Sequence, residues 1–214
     1  LNNTLIEIYE HFDKYRISDA LMAIYKLVWD DFCSWYLEII KPEYGQPIDK
    51  VTYDYTIQYL EDLLKMLHPF MPFITEEIWQ FIKEREPKEA LIISKWPEYE
   101  KDEGIVKQFN DFILNFEFTK EVIAGIRTIR KEKNISFKEF IDLKILNNEY
   151  FTDYFDRVIQ KMGNIKGFEY VNEKVGNTLS YRVKSNEYFI PISGSINVEE
   201  EIKKLREELK YTKN

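Results

Sequence analysis

Arg127, Arg130 and Lys131 lie close together in the stretch Ile126-Arg127-Thr128-Ile129-Arg130-Lys131-Glu132-Lys133-Asn134-Ile135-Ser136, and Lys120 stands two turns before Arg127. On a helix Arg127 and Lys131 are i,i+4 neighbours and share a face with Lys120, a cation row that can follow phosphates. From Thr119 to Lys138 there are six basic residues (Lys120, Arg127, Arg130, Lys131, Lys133, Lys138) against two acids (Glu121, Glu132). The same cations suit a helix C-terminus, where they meet the negative end of the dipole and solvate an exposed face. The residues alone leave both readings open.

A second group is Val28-Trp29-Asp30-Asp31-Phe32-Cys33-Ser34-Trp35-Tyr36-Leu37-Glu38, preceded by Lys14, Tyr15 and Arg16 in a loop. Single-stranded RNA is read by aromatic side chains that stack on bases and by polar groups at base edges. Trp29 and Tyr36, seven residues apart, share a helix face off the main apolar stripe. Phe32 and Trp35 fit core packing as well as stacking.

Catalytic chemistry has no such grouping. His11 precedes an apolar Phe12 and His68 is locked beside Pro69. The glycines form neither G-x-G-x-x-G nor a P-loop. Asp30-Asp31 and Glu76-Glu77 point different ways on a helix, which suits solvation better than metal binding or acid–base work. A single cysteine, Cys33, excludes intramolecular disulfides and multi-cysteine zinc sites; it falls in an apolar pattern, so a buried thiol is expected. No metal and no cofactor are expected in this chain.

The elements that must position these groups come from a chain of 214 residues, with room for one large or two small domains. Net charge of −8 argues against broad nonspecific nucleic-acid binding, though not against a local basic surface. No apolar run approaches a membrane span, and cysteine usage suggests the cytoplasm. Leu1 in place of Met suggests a piece of something longer.

Leu1, Leu5, Ile8 and Phe12 predict a first helix. A second, capped by Ser18, runs to Lys41 with Leu21, Tyr25, Val28, Phe32, Trp35 and Ile39 as its buried stripe. A third covers Tyr53 to Leu67 and stops at His68-Pro69. After this proline corner Thr75 is the expected N-cap of a helix over Glu76–Lys83, with Ile74 and Trp79 as a hydrophobic staple and Phe70, Met71 and Phe73 plugging a core. Leu91 to Pro97 reads as extended. A long helix capped by Asp102 carries Phe109, Phe112, Phe116, Ile123 and Ile126 on one side and stops at Asn134. Such rods make an up-and-down bundle. The period then changes: strands near 140–146, 167–171, 178–184 and 188–192, a turn at Ser185-Asn186-Glu187, and a helix from about Tyr150 to Met162 predict a small α+β unit. Val198, Ile202, Leu205 and Leu209 fall on an a/d stripe behind a capping box at Asn197 and Glu200. The fold class is therefore mainly α: a bundle over 1–136, an α+β subdomain over 137–195 and the start of a coiled-coil arm over 196–214.

Four stretches carry a family resemblance. Leu67-His68-Pro69-Phe70-Met71-Pro72-Phe73-Ile74-Thr75-Glu76-Glu77-Ile78-Trp79 resembles the helical anticodon-binding domain of the valyl-tRNA synthetases and their class I relatives for isoleucine and leucine. Ser18-Asp19-Ala20-Leu21 through Trp29–Glu38 to Lys41-Pro42 is similar to the family's second bundle helix, with Ser34 where Asp is frequent. Ile126–Arg130 with Asn134-Ile135-Ser136 is similar to its long-helix end, with Phe137 in place of a frequent proline. Gly194–Glu201 with Lys204-Leu205 resembles the entrance to its C-terminal coiled coil. That entrance and the lone cysteine favour valine over isoleucine, whose enzymes commonly end in a cysteine-rich zinc module.

The resemblance implies a whole enzyme that attaches valine to its tRNA using ATP, through a catalytic domain with HIGH and KMSKS motifs. Neither motif occurs here, so this part should bind tRNA as a monomer and catalyse nothing. Docked on an anticodon stem-loop, Lys14, Arg16, Arg127, Arg130 and Lys131 are expected on phosphates, and Asp31, Trp35, Tyr36 and Glu38 along a base-reading groove. A helical scaffold for protein partners, or the same domain of an isoleucine enzyme, would fit the periodicity too.

Overall fold

A computed structural model describes residues 1–146 and 153–191. The chain divides into two compact units, Leu1–Lys107 and Gln108–Asn214. That division falls inside the long helix rather than at 136/137, because the helix from Gln108 onward groups with the sheet that follows it.

The first unit is helical. Helix α1 (Asn2–Asp13) buries Leu5 and Ile8 and half-buries Phe12, as its spacing requires. Helix α2 (Ile17–Lys26) begins at Arg16, so Ser18 lies inside the helix and caps nothing. Its buried face is Ala20, Ala23, Ile24 and Leu27, and the predicted stripe residues Leu21 and Tyr25 are exposed. From Leu27 to Tyr36 the coil widens to π-helical geometry, in which Leu37 N donates to Phe32 O; it then tightens into α3 (Leu37–Ile40). One continuous 4-3 stripe across this element therefore does not hold.

Asp49 caps α4 (Lys50–Leu67) by accepting from Thr52 N at 2.9 Å, four residues before the predicted start. Leu63, Leu64 and Met66 enter the core. The proline corner stops α4 at Leu67, but Pro72 then occupies the first turn of α5 (Pro72–Phe81), its fixed φ already suited to a helix start. Thr75 is consequently a buried mid-helix residue, not a cap. Its hydroxyl donates to Met71 O at 2.8 Å and so accepts from His68 Nδ1, also at 2.8 Å. Phe70 packs on the core, whereas Met71 and Phe73 are exposed. Trp79 is buried beneath the Arg85 guanidinium, 3.3 Å from the ring centroid, and Arg85 pairs with Glu61. Leu91–Ile93 forms a 3-10 turn where extended chain is predicted.

Asp102 caps α6 (Glu103–Glu132), its Oδ1 accepting from Gly104 N and Ile105 N. In the second unit α6 buries Val122, Ile123, Ile126 and Ile129, while Phe109 and Phe112 remain about half exposed. The sheet has the order β2-β1-β4-β3, with β1 (Ile141–Leu146), β2 (Ile165–Val171), β3 (Thr178–Val183) and β4 (Asn186–Pro191). Strands β1 and β2 are parallel, joined through a 3-10 turn over Asp153–Phe155 and α7 (Asp156–Gly163); the other pairings are antiparallel. Val183 pairs with Asn186, so the hairpin turn is Lys184-Ser185 and Glu187 belongs to β4. Gly125 lets α6 approach the sheet: a Cβ there would stand 2.3 Å from the Tyr181 ring, whose hydroxyl donates to Val122 O. The expected coiled-coil segment, 196–214, lies outside the described residues, as does the start of the helix expected from Tyr150.

Candidate nucleic-acid interface

In the first unit the candidate cations sit at a helix end with a defined backbone. Helix α1 closes with Tyr15 in the left-handed region, φ 54°. Tyr15 N donates to Phe12 O and Arg16 N to His11 O at 2.8 Å, the two bonds of a Schellman ending. A side chain with a Cβ is disfavoured at that φ, so Tyr15 holds strain that glycine would avoid. The result presents Lys14, Tyr15 and Arg16 outward together; Tyr15 is 89% exposed. Lys14 reaches back to Glu10 at 3.2 Å, an exposed pair that a phosphate can compete with.

The aromatics separate into two kinds. Tyr25 and Trp29 are exposed and stacked on each other, centroids 6.4 Å apart and planes 9° from parallel. Tyr36 is half-buried: it stacks on Phe32, meets Tyr59 edge-on, and donates its hydroxyl to Thr56 Oγ1 at 3.1 Å. Thr56 sends its own proton to Thr52 O at 2.7 Å, which fixes that direction. Burial, with Tyr36 and Tyr55 nearby, raises the Tyr59 phenol above its ordinary pKa. Trp35 is half-buried as well. Of the rings along this element, Tyr25 and Trp29 are the ones placed to accept a stacked base. Tyr25 was predicted in the core. It is exposed because α2 turns Ala20, Ala23, Ile24 and Leu27 inward, and alanines weigh little in an apolar pattern.

Asp31 is exposed and lines a groove of about 400 Å³ between α1 and α2 with Glu7, His11, Asp19 and Lys26. Glu38 is exposed and pairs with Lys41 at 3.1 Å. Cys33, predicted buried, is exposed.

In the second unit the cation row is shorter than predicted. Arg127 and Lys131 are exposed on one face of α6. Lys120 is half-buried and paired with Glu117. Arg130 is 4% exposed and points inward. Its Nη1 donates to Ser136 O at 2.8 Å, and its Nη2 reaches Glu139 O at 2.9 Å and the carbonyls of Gly163 and Asn164 at 3.1 Å. Arg130 is therefore a clamp on the chain that follows α6, not a surface cation. The signal was present in the spacing: Arg130 lies four residues after Ile126 and seven after Ile123, on the buried stripe itself. Burial lowers its pKa and Glu139 partly offsets this, but a guanidinium stays charged at neutral pH.

Among the described residues no group of three or more His, Cys, Asp and Glu could hold a metal ion, and no helix is long and apolar enough to cross a membrane. What the arrangement can do is bind: exposed rings and cations at a helix end in one unit, and cations with a braced turn in the other.

Comparison with known proteins agrees in extent with this layout. Over 210 residues, 98% of this chain, it is 60% identical to the valine–tRNA ligase of Christiangramia forsetii. Identity is 46% over 213 residues to that of Parabacteroides distasonis and 32% over 211 residues to that of Thermotoga maritima. The chain spans 23–24% of the length of these relatives. The pattern of the anticodon-binding domain of tRNA ligase matches residues 1–145, which cover both α1–α6 and β1 up to Ile145. The chain belongs to the anticodon-binding domain family of the tRNA ligases.

Proposed function

We propose that this chain is the tRNA-binding portion of a valine–tRNA ligase, docking on the anticodon arm while valine activation with ATP and transfer to tRNA take place elsewhere in the enzyme. The observation that carries the reading is similarity to valine–tRNA ligases along 97–100% of the chain, from bundle through sheet. On this reading the portion works as a monomer in the cytoplasm, with no cofactor or metal of its own. Lys14, Arg16, Arg127 and Lys131 neutralise phosphates, and Tyr25 and Trp29 offer the stacking face. Asp31, Glu38, Trp35 and Tyr36 border the same element; Glu38 reads a base edge only after releasing Lys41.

The test is a gel shift of the chain on a valine-accepting tRNA transcript, with valine and isoleucine tRNAs as competitors. Valine tRNA should compete more strongly. Reversing charge at Arg127 and Lys131 together should weaken binding and reduce the salt slope by about two. Equal competition removes the valine assignment, and no shift at any protein concentration removes the RNA reading in favour of a protein scaffold.

A further inference from the structure

Beyond the end of α6 the chain makes a β-turn over Ser136-Phe137-Lys138-Glu139, closed by Glu139 N donating to Ser136 O at 3.0 Å. The turn is braced from below at three of its four carbonyls. Ser136 O and Glu139 O accept from the buried Arg130 guanidinium, and Phe137 O accepts from Asn164 Nδ2 at 2.6 Å. No carboxylate pairs with that guanidinium among the described contacts, so its charge remains beneath the turn, softened by the Glu139 side chain. Phe137 and Lys138 occupy the two central positions, where side chains project outward. Phe137 is 54% exposed and Phe140 65%, two large rings within four residues, with the exposed Lys138 between them in the sequence.

An apolar patch alone would suit a protein partner. Rings interleaved with a cation and braced by a buried positive charge suit a polyanion with flat faces. A preformed turn also loses little entropy when it binds.

We propose that the Ser136–Glu139 turn with Phe140 is a separate RNA contact, in which Phe137 and Phe140 stack on unpaired nucleotides while Lys138 holds an adjoining phosphate. It rests on the tRNA-binding reading above and adds a contact on the α+β unit. Stacking on such rings tolerates any base, so the contact strengthens binding without reading sequence.

The experiment measures affinity of the full chain for a valine-accepting tRNA transcript by fluorescence anisotropy between about 50 and 200 mM salt. Phe137→Ala with Phe140→Ala should weaken binding roughly tenfold at fixed salt and leave the salt slope unchanged. Phe137→Tyr with Phe140→Tyr should restore it. Phe137→Leu with Phe140→Leu keeps apolar bulk and a folded turn but removes the rings, and should bind as poorly as the alanine pair. Lys138→Gln should lower the slope by about one. Wild-type binding with full affinity in both the alanine and leucine pairs overturns this contact and leaves the tRNA reading intact. Failure of the unaltered chain to bind any tRNA overturns both.

Discussion

Helix α1 ends with Tyr15 at φ 54° and Arg16 N bonded to His11 O; helix α6 ends with Asn134 at φ 53° and Ile135 N bonded to Arg130 O, both at 2.8 Å. The local backbone is the same, and both ends carry arginine and lysine. Yet Arg16 is exposed at the first end and Arg130 is buried at the second. What differs is the chain around each ending. After α1 the backbone goes straight into α2, whose N–H and C=O groups the helix itself satisfies. After α6 it runs through an irregular turn and, beside the end of α7, leaves four carbonyls facing one point. Buried carbonyls need donors, and a guanidinium carries five in a fixed fork. The number of unsatisfied backbone acceptors within reach, rather than helix-end chemistry, decides whether an arginine serves the surface or the interior.

The sharpest way to break this contrast is Arg130→Met. Similar bulk remains, but four carbonyls lose their donor, so the loss should be about 3 kcal/mol or more, read as a lower midpoint in urea. Arg130→Lys should recover less than half of it, because one ammonium cannot span both sides of the fork. Arg16→Met should change stability by no more than about 0.5 kcal/mol. Equal effects at Arg16 and Arg130 would end the distinction.

Much of this was legible in the residues, and the exceptions share a cause. The proline at 69 ended α4 at Leu67, Asp102 capped α6, and Asn134 stopped it, because each acts through its own covalent geometry or nearest backbone groups. The alternation Ile141, Leu143, Ile145 gave β1 its buried face for the same local reason. Ser18 and Thr75 misled because a hydroxyl suited to capping is also tolerated inside a helix when it donates to a carbonyl three or four residues back, as Thr75 does. Ala20 and Ala23 carry the core face of α2 but weigh little in an apolar pattern, so the larger Leu21 and Tyr25 dominated it. For the candidate site, the cations Lys14, Arg16, Arg127 and Lys131 do stand outward. The place of Arg130 on the Ile123–Ile126 stripe marks its inward turn, but one acceptor it meets there, the carbonyl of Gly163, is 33 residues away, and no local rule supplies that partner.

A smaller effect tests the left-handed residue at the second ending. Asparagine enters that region more readily than other residues with a Cβ, so Asn134→Ala should cost about 1 kcal/mol through backbone strain alone. Asn134→Gly should fall within a few tenths of wild type. If alanine proves as good as asparagine there, Arg130 alone fixes the ending, and the backbone likeness to α1 has no energetic meaning.

Tyr15→Gly probes the first ending and should have the smallest effect, with the opposite sign. The left-handed conformation costs tyrosine roughly 1–2 kcal/mol. Glycine relieves that but adds about 0.5–1 kcal/mol of unfolded-state entropy, leaving a net gain near 0.5 kcal/mol. Tyr15 is 89% exposed, so almost no packing is lost to offset the gain. A chain that keeps a strained, solvent-facing ring against this small advantage has a use for the ring, and on the proposed function that use is contact with tRNA. The variant should therefore melt slightly higher and bind the valine tRNA transcript more weakly, with an unchanged salt slope because no charge is removed. A gain in stability with undiminished binding would leave Tyr15 strained to no purpose and confine the tRNA contact at this helix end to Lys14 and Arg16.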